Sequence, residues 1–503
     1  YILNKHIRFH MSALPKLSRQ MGLAAVVATG VSSMVGASIN VVPFMIHRSV
    51  PTIGPNVLWA FAFAAIPALF AGLAYAILSS AMPRAGGSYL YASRGINPYL
   101  GFVASFSQWF GLSIVIGVIA YITVPFFRDI AYSAELYWLS SLLEVSIVRV
   151  GISLSFIWSF VYLNIKGIKS YTNLLLPMVF VIFCLGSIVI ISGLFFDASD
   201  FLAAVENKDN LLHTIPPDPE FDWTIFLSAA AILFSSFIGF DAIAQTGSEA
   251  INPSRNIPLA ILIAILGVGL FYFLFTFSVY SIVPWSYVAE QAQLKDITAP
   301  GLLSYVLPKG VDVLIIFGAA VALINDLPAM LLSVSRLMFA WAKDGIFPNK
   351  IAEIHEKNKT PHVALIIAGV MGSIGVLGSH FAGDFFLGID IMVTSMLINF
   401  LLMCITVLTI KSYNPNIFSE IKVFKNRLLQ QFIGWGGVVF LSGFLLIHIY
   451  KDLSKSVAAW YFHSTYIWLV VMGLASFVFL NQWIKLKKKE TFSVKQFKNL
   501  PKE

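Results

Sequence analysis

The chain has 503 residues, of which 58% are hydrophobic and only 12% charged, and its mean hydropathy is +0.81. A water-soluble domain carries roughly 25% charged residues to cover its surface, so this composition excludes a soluble globular protein and requires contact with lipid. The net charge of +8 does not indicate nucleic acid, because the basic residues lie between apolar runs rather than on one soluble face.

The first twenty residues are polar and basic (Lys5, Arg8, Lys16, Arg19) and do not read as a cleavable signal; Met11 reads as an alternative start. From there, runs long enough to cross a hydrocarbon core, roughly 20 residues each, recur along the chain. Twelve are predicted, at 21–46, 57–80, 99–127, 147–164, 171–196, 223–248, 257–284, 311–336, 362–380, 385–409, 430–450 and 459–484. None has a polar face, which argues against buried helices of a large soluble protein. An even count puts both termini on one side. Most of the 33 basic residues fall in loops on that side, so both termini are expected in the cytoplasm of a cell whose plasma membrane the chain spans. The acidic stretch 197–222 (Asp197, Asp200, Glu206, Asp209, Asp218, Glu220, Asp222) is then an external loop. Lys485, Lys487, Lys488 and Lys489 close the last span as a topology anchor beside anionic lipid. Cys184 and Cys404 both lie inside apolar runs, so no disulfide framework is expected.

Two of these spans share a weak point. SSMVG at 32–36 in span one is nearly repeated as SSFIG at 235–239 in span six. Glycine costs about 1 kcal/mol against alanine inside a helix, and serine offers its hydroxyl to nearby backbone. Unwound backbone at membrane depth is tolerated only where it faces a cavity or other protein. Five spans separate the copies, so the second enters the membrane from the opposite side, as in inverted repeats. The predicted organisation is a tail at 1–20, a five-helix repeat at 21–196, the loop 197–222, and an inverted five-helix repeat at 223–409. Helices eleven and twelve follow at 430–484, then a basic tail at 485–503. A break in span one starts a half-helix whose free N–H groups attract a carboxylate, expected at Ser33, Val35, Gly36, Ala37 and Ser38. A break in span six ends one whose carbonyls attract an ammonium, expected at Ser235, Ser236, Phe237 and Gly239. An acid position and an amine position together describe an amino acid backbone. The alternative is that Gly36 and Gly239 serve close helix packing alone.

The stretches GVSSMVGASI (30–39), IGPNVLWAFAFAAIPALFAGLAYAILSSAMPRAGGSYLYASRGINP (53–98), FIGFDAIAQTGSEAINPSRNIP (237–258) and SRLMFAWAKDGIFP (335–348) resemble the amino acid–polyamine–organocation (APC) superfamily of secondary transporters. The resemblance covers about the first 400 residues. It implies an all-α membrane fold with a five-plus-five inverted repeat, discontinuous helices one and six lining the site, and helices eleven and twelve at the periphery. It also implies ion-coupled transport or exchange. Two departures stand out. The family's aromatic gate position in span six is Ser235, so either gating shifts to its neighbours Phe234, Phe237 and Phe240 or the pocket admits a bulkier side chain. The span-five segment LLLPMVFVIFCLGSIVIIS (174–192) has no lysine, which counts against lysine-based proton coupling.

Apart from Asp312 at the very start of span eight, three acids fall within the spans: Asp241, Asp326 and Asp390. Intramembrane carboxylates are costly and usually functional. Asp241 follows the span-six break, where it would cap the second half-helix or contact ligand. Asp326, between Asn325 and Pro328, is not usual in the family; it is expected to carry a coupling proton, ligate a cation or recognise a cationic side chain, unless it forms a structural salt bridge or is a hydrogen-bonded neutral acid. Asp390 reads as a helix-start residue. Ser333 could give a sodium ion an oxygen. Glu249, with Arg255 or Arg336, is expected to form an inner gate. His448 reads as a packed histidine. No serine–histidine–acid or metal-ligand spacing is present, so neither an enzyme nor a metal or organic cofactor is expected; a proton or sodium ion is the expected coupling species. The predicted function is secondary active transport of an amino acid or related organic amine. A polyamine or organic-cation transporter, and a membrane amino-acid sensor without flux, remain as alternatives.

Overall fold

In hydrocarbon every backbone N–H and C=O must be paired within the segment, so apolar runs of this length have the helix as their solution. The computed structural model describes residues 16–209, 214–308, 310–382, 385–488 and 493–501; Met11 and Lys489 lie outside them. Among the described residues, twelve helical spans are long and apolar enough to cross a membrane: Leu23–Ser49, Pro51–Ala81, Pro98–Ser133, Ser146–Lys166, Ile168–Ser192, Trp223–Gln245, Pro253–Ile282, Val311–Lys343, His362–Phe381, Leu387–Tyr413, Arg427–Leu453 and Ser464–Lys487. They are numbered one to twelve below. No strand occurs among the described residues; one isolated bridge pairs Met21 with Ala250.

The count agrees with the sequence expectation, and the edges differ for local reasons. Span three has 36 residues, about 54 Å of helix against a core of about 30 Å, so it projects into the interface. Its start is fixed by Pro98 at the first helical position and by the Asn97 side chain, which accepts from the Leu100 amide at 2.8 Å. Span twelve starts at Ser464, later than the sequence suggests. A short 3₁₀ turn, Trp460–Phe462, precedes it, and the Asp452 carboxylate of span eleven accepts from the Ser464 and Thr465 amides at 3.1 and 2.8 Å. A carboxylate borrowed from a neighbouring helix has no signature in local sequence.

Burial orders the bundle. The most apolar stretch of span one is 88% buried, against 17% for spans five and twelve, so span one is central and the other two face lipid. Lipid tails are as apolar as leucine, so helices here associate through close packing rather than hydrophobic burial. Spans three and nine show this: a Cβ on Gly117 would strike the backbone of Gly375 and Val376, and one on Gly375 would meet the Ile114 carbonyl.

Each face is tied by polar contacts. On the face of the N-terminus, Arg94 in the helix Gly87–Gly95 pairs with Asp344 at 2.5 and 2.9 Å, and Tyr89 donates to Asp344 at 2.7 Å. Burial, and then the Asp344 charge, hold the Tyr89 hydroxyl well above its ordinary range, so it stays a donor. On the opposite face Arg48 pairs with Asp296 at 2.7 Å and the Trp285 indole donates to Asp218 at 3.0 Å. The first part of the acidic stretch lies on this face as the helix Ala198–Asp209, where Phe201 packs on Tyr287 and Tyr305.

Candidate substrate site

The helix beginning at Leu23 ends at Met34, and the next begins at Ala37. Gly36 between them has φ −134° and ψ −128°, and no side chain caps the second helix. In span six the helix Trp223–Leu233 passes into a 3₁₀ turn, Phe234–Phe237, then extended Ile238, and the helix Asp241–Gln245 follows. Gly239 has φ +133°, open to glycine and rarely to other residues.

These two segments touch. A Cβ on Gly239 would collide with the backbone of Ser33 and Met34. The two serine–glycine stretches therefore meet, and glycine at 239 is required by both φ and contact. The pairs of serines divide their tasks. Ser32 accepts from the Asn325 amide at 2.7 Å, while the Ser33, Ser235 and Ser236 hydroxyls are buried without a hydrogen-bond partner.

Ser33 and Ser235 line a small cavity of about 40 Å³ together with Asp326. Its other walls are apolar: Met34 and Val42 of span one, Val115, Val118 and Ile119 of span three, Ile238, Met330, Ile389 and Met392. The Asp326 side chain is 4% exposed and lies against Gly36, where a Cβ would strike the carboxylate. Its Oδ1 has no hydrogen-bond partner. A buried charge without a partner is costly, so this carboxylate requires a proton or a cation beside it. A mostly apolar cavity with a few convergent polar groups is the usual form of a small-molecule site.

The other expected site residues sit elsewhere. Val35 faces a second space, lined by Ile182, Leu185 and Phe271. The backbone of Ala37 and Ser38 begins the second helix of span one. Phe234 packs on Phe400 and Phe444, Phe237 on Phe61 and Tyr272, and Phe240 stacks on Phe400 at 4.9 Å; none lines the cavity. Ser333 is fully buried and its hydroxyl has no partner. Asp390 pairs with Lys455 at 2.6 Å, and the His448 ring is 3.3 Å from the Asp390 carbonyl. Glu249 and Arg336, each 1% exposed, form a doubly hydrogen-bonded ion pair, and the Glu249 carbonyl accepts from the Gln20 and Met21 amides at 2.9 and 3.0 Å. Arg255 is exposed and outside that pair.

Asp241 is held by groups that sequence reasoning missed. Its Oδ1 accepts from the Gly239 amide at 3.1 Å and its Oδ2 from the Gln108 side chain. Gln108 of span three in turn accepts from Ser88 at 2.5 Å and from Gln245 at 3.4 Å. All four side chains are fully buried. Asp241 thus folds back on its own junction instead of capping the helix it begins. Gln108 is the amide in the otherwise largely apolar run FSQWFG, which is the signal that could have found it.

Twelve spans apolar and long enough to cross a membrane, among the described residues, define the class: a polytopic membrane protein. The sequence profile of the amino acid permease family matches residues 21–484, and the chain belongs to that family. It is similar to the branched-chain amino acid permease BcaP of Bacillus subtilis (strain 168), 26% identical over 377 residues, covering 72% of this chain and 75% of that one. It is similar also to the low-affinity putrescine importer PlaP of Escherichia coli (strain K12), 27% identical over 402 residues, covering 76% and 78%. An uncharacterized transporter of Mycobacterium bovis is 28% identical over 360 residues, 71% of this chain and 73% of that one. The chain is a transporter and not an enzyme.

Proposed function

We propose that the chain carries an amino acid or related organic amine across the plasma membrane by alternating access, with both termini in the cytoplasm. In this reading spans one to five and six to ten are two inverted repeats, and spans one and six are discontinuous helices whose junctions form the substrate site. Spans eleven and twelve are peripheral. The observation that carries the proposal is the contact between Gly239 and the Ser33 backbone, beside a cavity lined by Ser33, Ser235 and Asp326. Helix ends at mid-depth supply partial charges for a polar substrate, and rocking of one repeat against the other opens the site to each side in turn. The Glu249–Arg336 pair, which ties the end of span six to span eight, acts as the inner gate. Relatives named for a branched-chain amino acid and for putrescine bracket the substrate classes. The coupling ion is a proton or sodium, with Asp326 as the leading carrier; Asp241 is already engaged by Gln108, and Ser333 offers a free oxygen.

The test is uptake by purified protein in proteoliposomes from a mixed pool of amino acids and amines, with proton and sodium gradients imposed separately. Accumulation driven by one gradient, or by counter-substrate inside, is the expected result. Specific binding without flux, in vesicles shown to be tight, would overturn transport and favour a receptor.

A further inference from the structure

We propose that the face of the N-terminus carries a second binding site, for a phosphate joined to a small apolar group, whose occupant holds the Glu249–Arg336 gate shut. Only the effect on the gate rests on the transporter reading.

Segments far apart in sequence enclose a cavity of about 250 Å³ on this face. Lys16 and Arg19 reach it from the chain before span one, Arg84 from the loop after span two, and Lys343 from the end of span eight. No acid is among the described lining residues. Of the acids next in sequence to them, Glu249 pairs with Arg336, Asp344 pairs with Arg94, and Glu353 is exposed. Arg19 and Arg84 hold contacts of their own and still add charge, while Lys16 and Lys343 pair with no carboxylate among the described residues. Lys343 lies instead over the Phe339 ring at 5.5 Å. Phe339 packs with Ala85, Ile354 and Leu17 as an apolar floor. Basic residues that only set topology need nothing but water and headgroups around them. Four that converge on one cavity with an apolar floor complement an anion with an apolar part. Phosphate fits better than carboxylate, because its oxygens serve several cations at once.

The walls belong to the gate. Ser248, beside Glu249, accepts from the Ala85 amide at 2.9 Å. A Cβ on Gly247 would strike the Arg84 backbone and one on Gly86 would strike Ala340, so this loop is wedged between the ends of spans six and eight. Lys343 lies about two turns beyond Arg336 on the same helix. Opening towards this face separates these elements and takes the cavity apart, so a ligand of the assembled cavity favours the shut state.

The test uses the full chain, with Ser235→Cys in a Cys184→Ser background, in phosphatidylcholine nanodiscs. Phenyl phosphate, titrated by calorimetry, should bind one to one, and inorganic phosphate about tenfold more weakly for want of the apolar group. Lys16→Ala and Lys343→Ala, both at exposed positions, should each cost about tenfold, the scale of a charge-assisted hydrogen bond. At about ten times its Kd, phenyl phosphate should slow maleimide labelling of the cysteine from this side about tenfold, and should not do so in the double lysine variant. Nanodiscs of phosphatidylglycerol separate the two sources of phosphate. If they abolish phenyl phosphate binding, and the lysine variants there label faster than the parent, a lipid headgroup is the occupant; if binding persists, the occupant is a soluble phosphate. Binding that both lysine variants leave unchanged overturns the site, and so does an absence of phenyl phosphate binding together with labelling that ignores phosphatidylglycerol. Binding without slower labelling overturns the hold on the gate. Absent uptake with binding intact would sink the transporter reading and leave the site standing.

Discussion

The inner-gate ion pair gives a quantitative test through a double-mutant cycle. Glu249 and Arg336 are each 1% exposed and joined by two hydrogen bonds, one of them 3.1 Å from Nε. Replacing one partner leaves the other as an unpaired buried charge, which costs about 3–5 kcal/mol, whereas replacing both with neutral groups removes that penalty. If the pair closes the N-terminal face, Glu249→Gln and Arg336→Gln should each shift the balance towards the inward-open state by about a hundredfold or more, at 1.4 kcal/mol per tenfold. The double variant should return most of the way. The reporter is Ser235→Cys, on the cavity wall, in a Cys184→Ser background; Cys404 is fully buried. The rate of its modification by a membrane-impermeant maleimide, added from the side of the N-terminus, measures opening on that side. Single variants that label at the parental rate, or a double variant that labels as fast as the product of the singles predicts, would refute the reasoning.

Two further predictions concern the junctions. Gly239→Ala adds a Cβ at φ +133° against the Ser33 backbone; strain of about 1–3 kcal/mol, before the collision is counted, should abolish uptake while the protein still elutes as a single species. Uptake at the parental rate would show that the junction tolerates a side chain. Gln108→Leu removes a donor from the buried Asp241 carboxylate, at a cost of about 1–3 kcal/mol, and Gln108→Glu adds a like charge. Thermal midpoints by size exclusion should therefore fall in the order parental, Leu, Glu, and identical midpoints would show that Asp241 does not depend on this contact.

The sequence made the bundle legible because long apolar runs have one solution in lipid, and the twelve helical spans follow from composition and length. Edges were less legible where a contact sets them from afar, as Asp452 does for span twelve. At the candidate site, the near-repeat of two serines and a glycine located residues that do meet in space, and Asp326 stood out as an acid in an apolar run. What the sequence could not show was direction. Phe234, Phe237 and Phe240 differ from Ser235 only by rotation about the chain, yet they pack into aromatic clusters while Ser235 faces the cavity. Val35 faces away from Ser33 for the same reason. Partner choice was equally hidden: Glu249 had two arginines within reach of argument, and only the buried one pairs with it.

The central claim is that the space between Ser33, Ser235 and Asp326 holds the substrate. The most direct measurement is protection of Ser235→Cys, in a variant that retains uptake, against a small thiol reagent as transported substrate is titrated in. The account predicts that labelling slows in proportion to occupancy, with a half-maximal concentration equal to the transport KM. Unchanged labelling at concentrations that saturate transport would place the substrate elsewhere and contradict it.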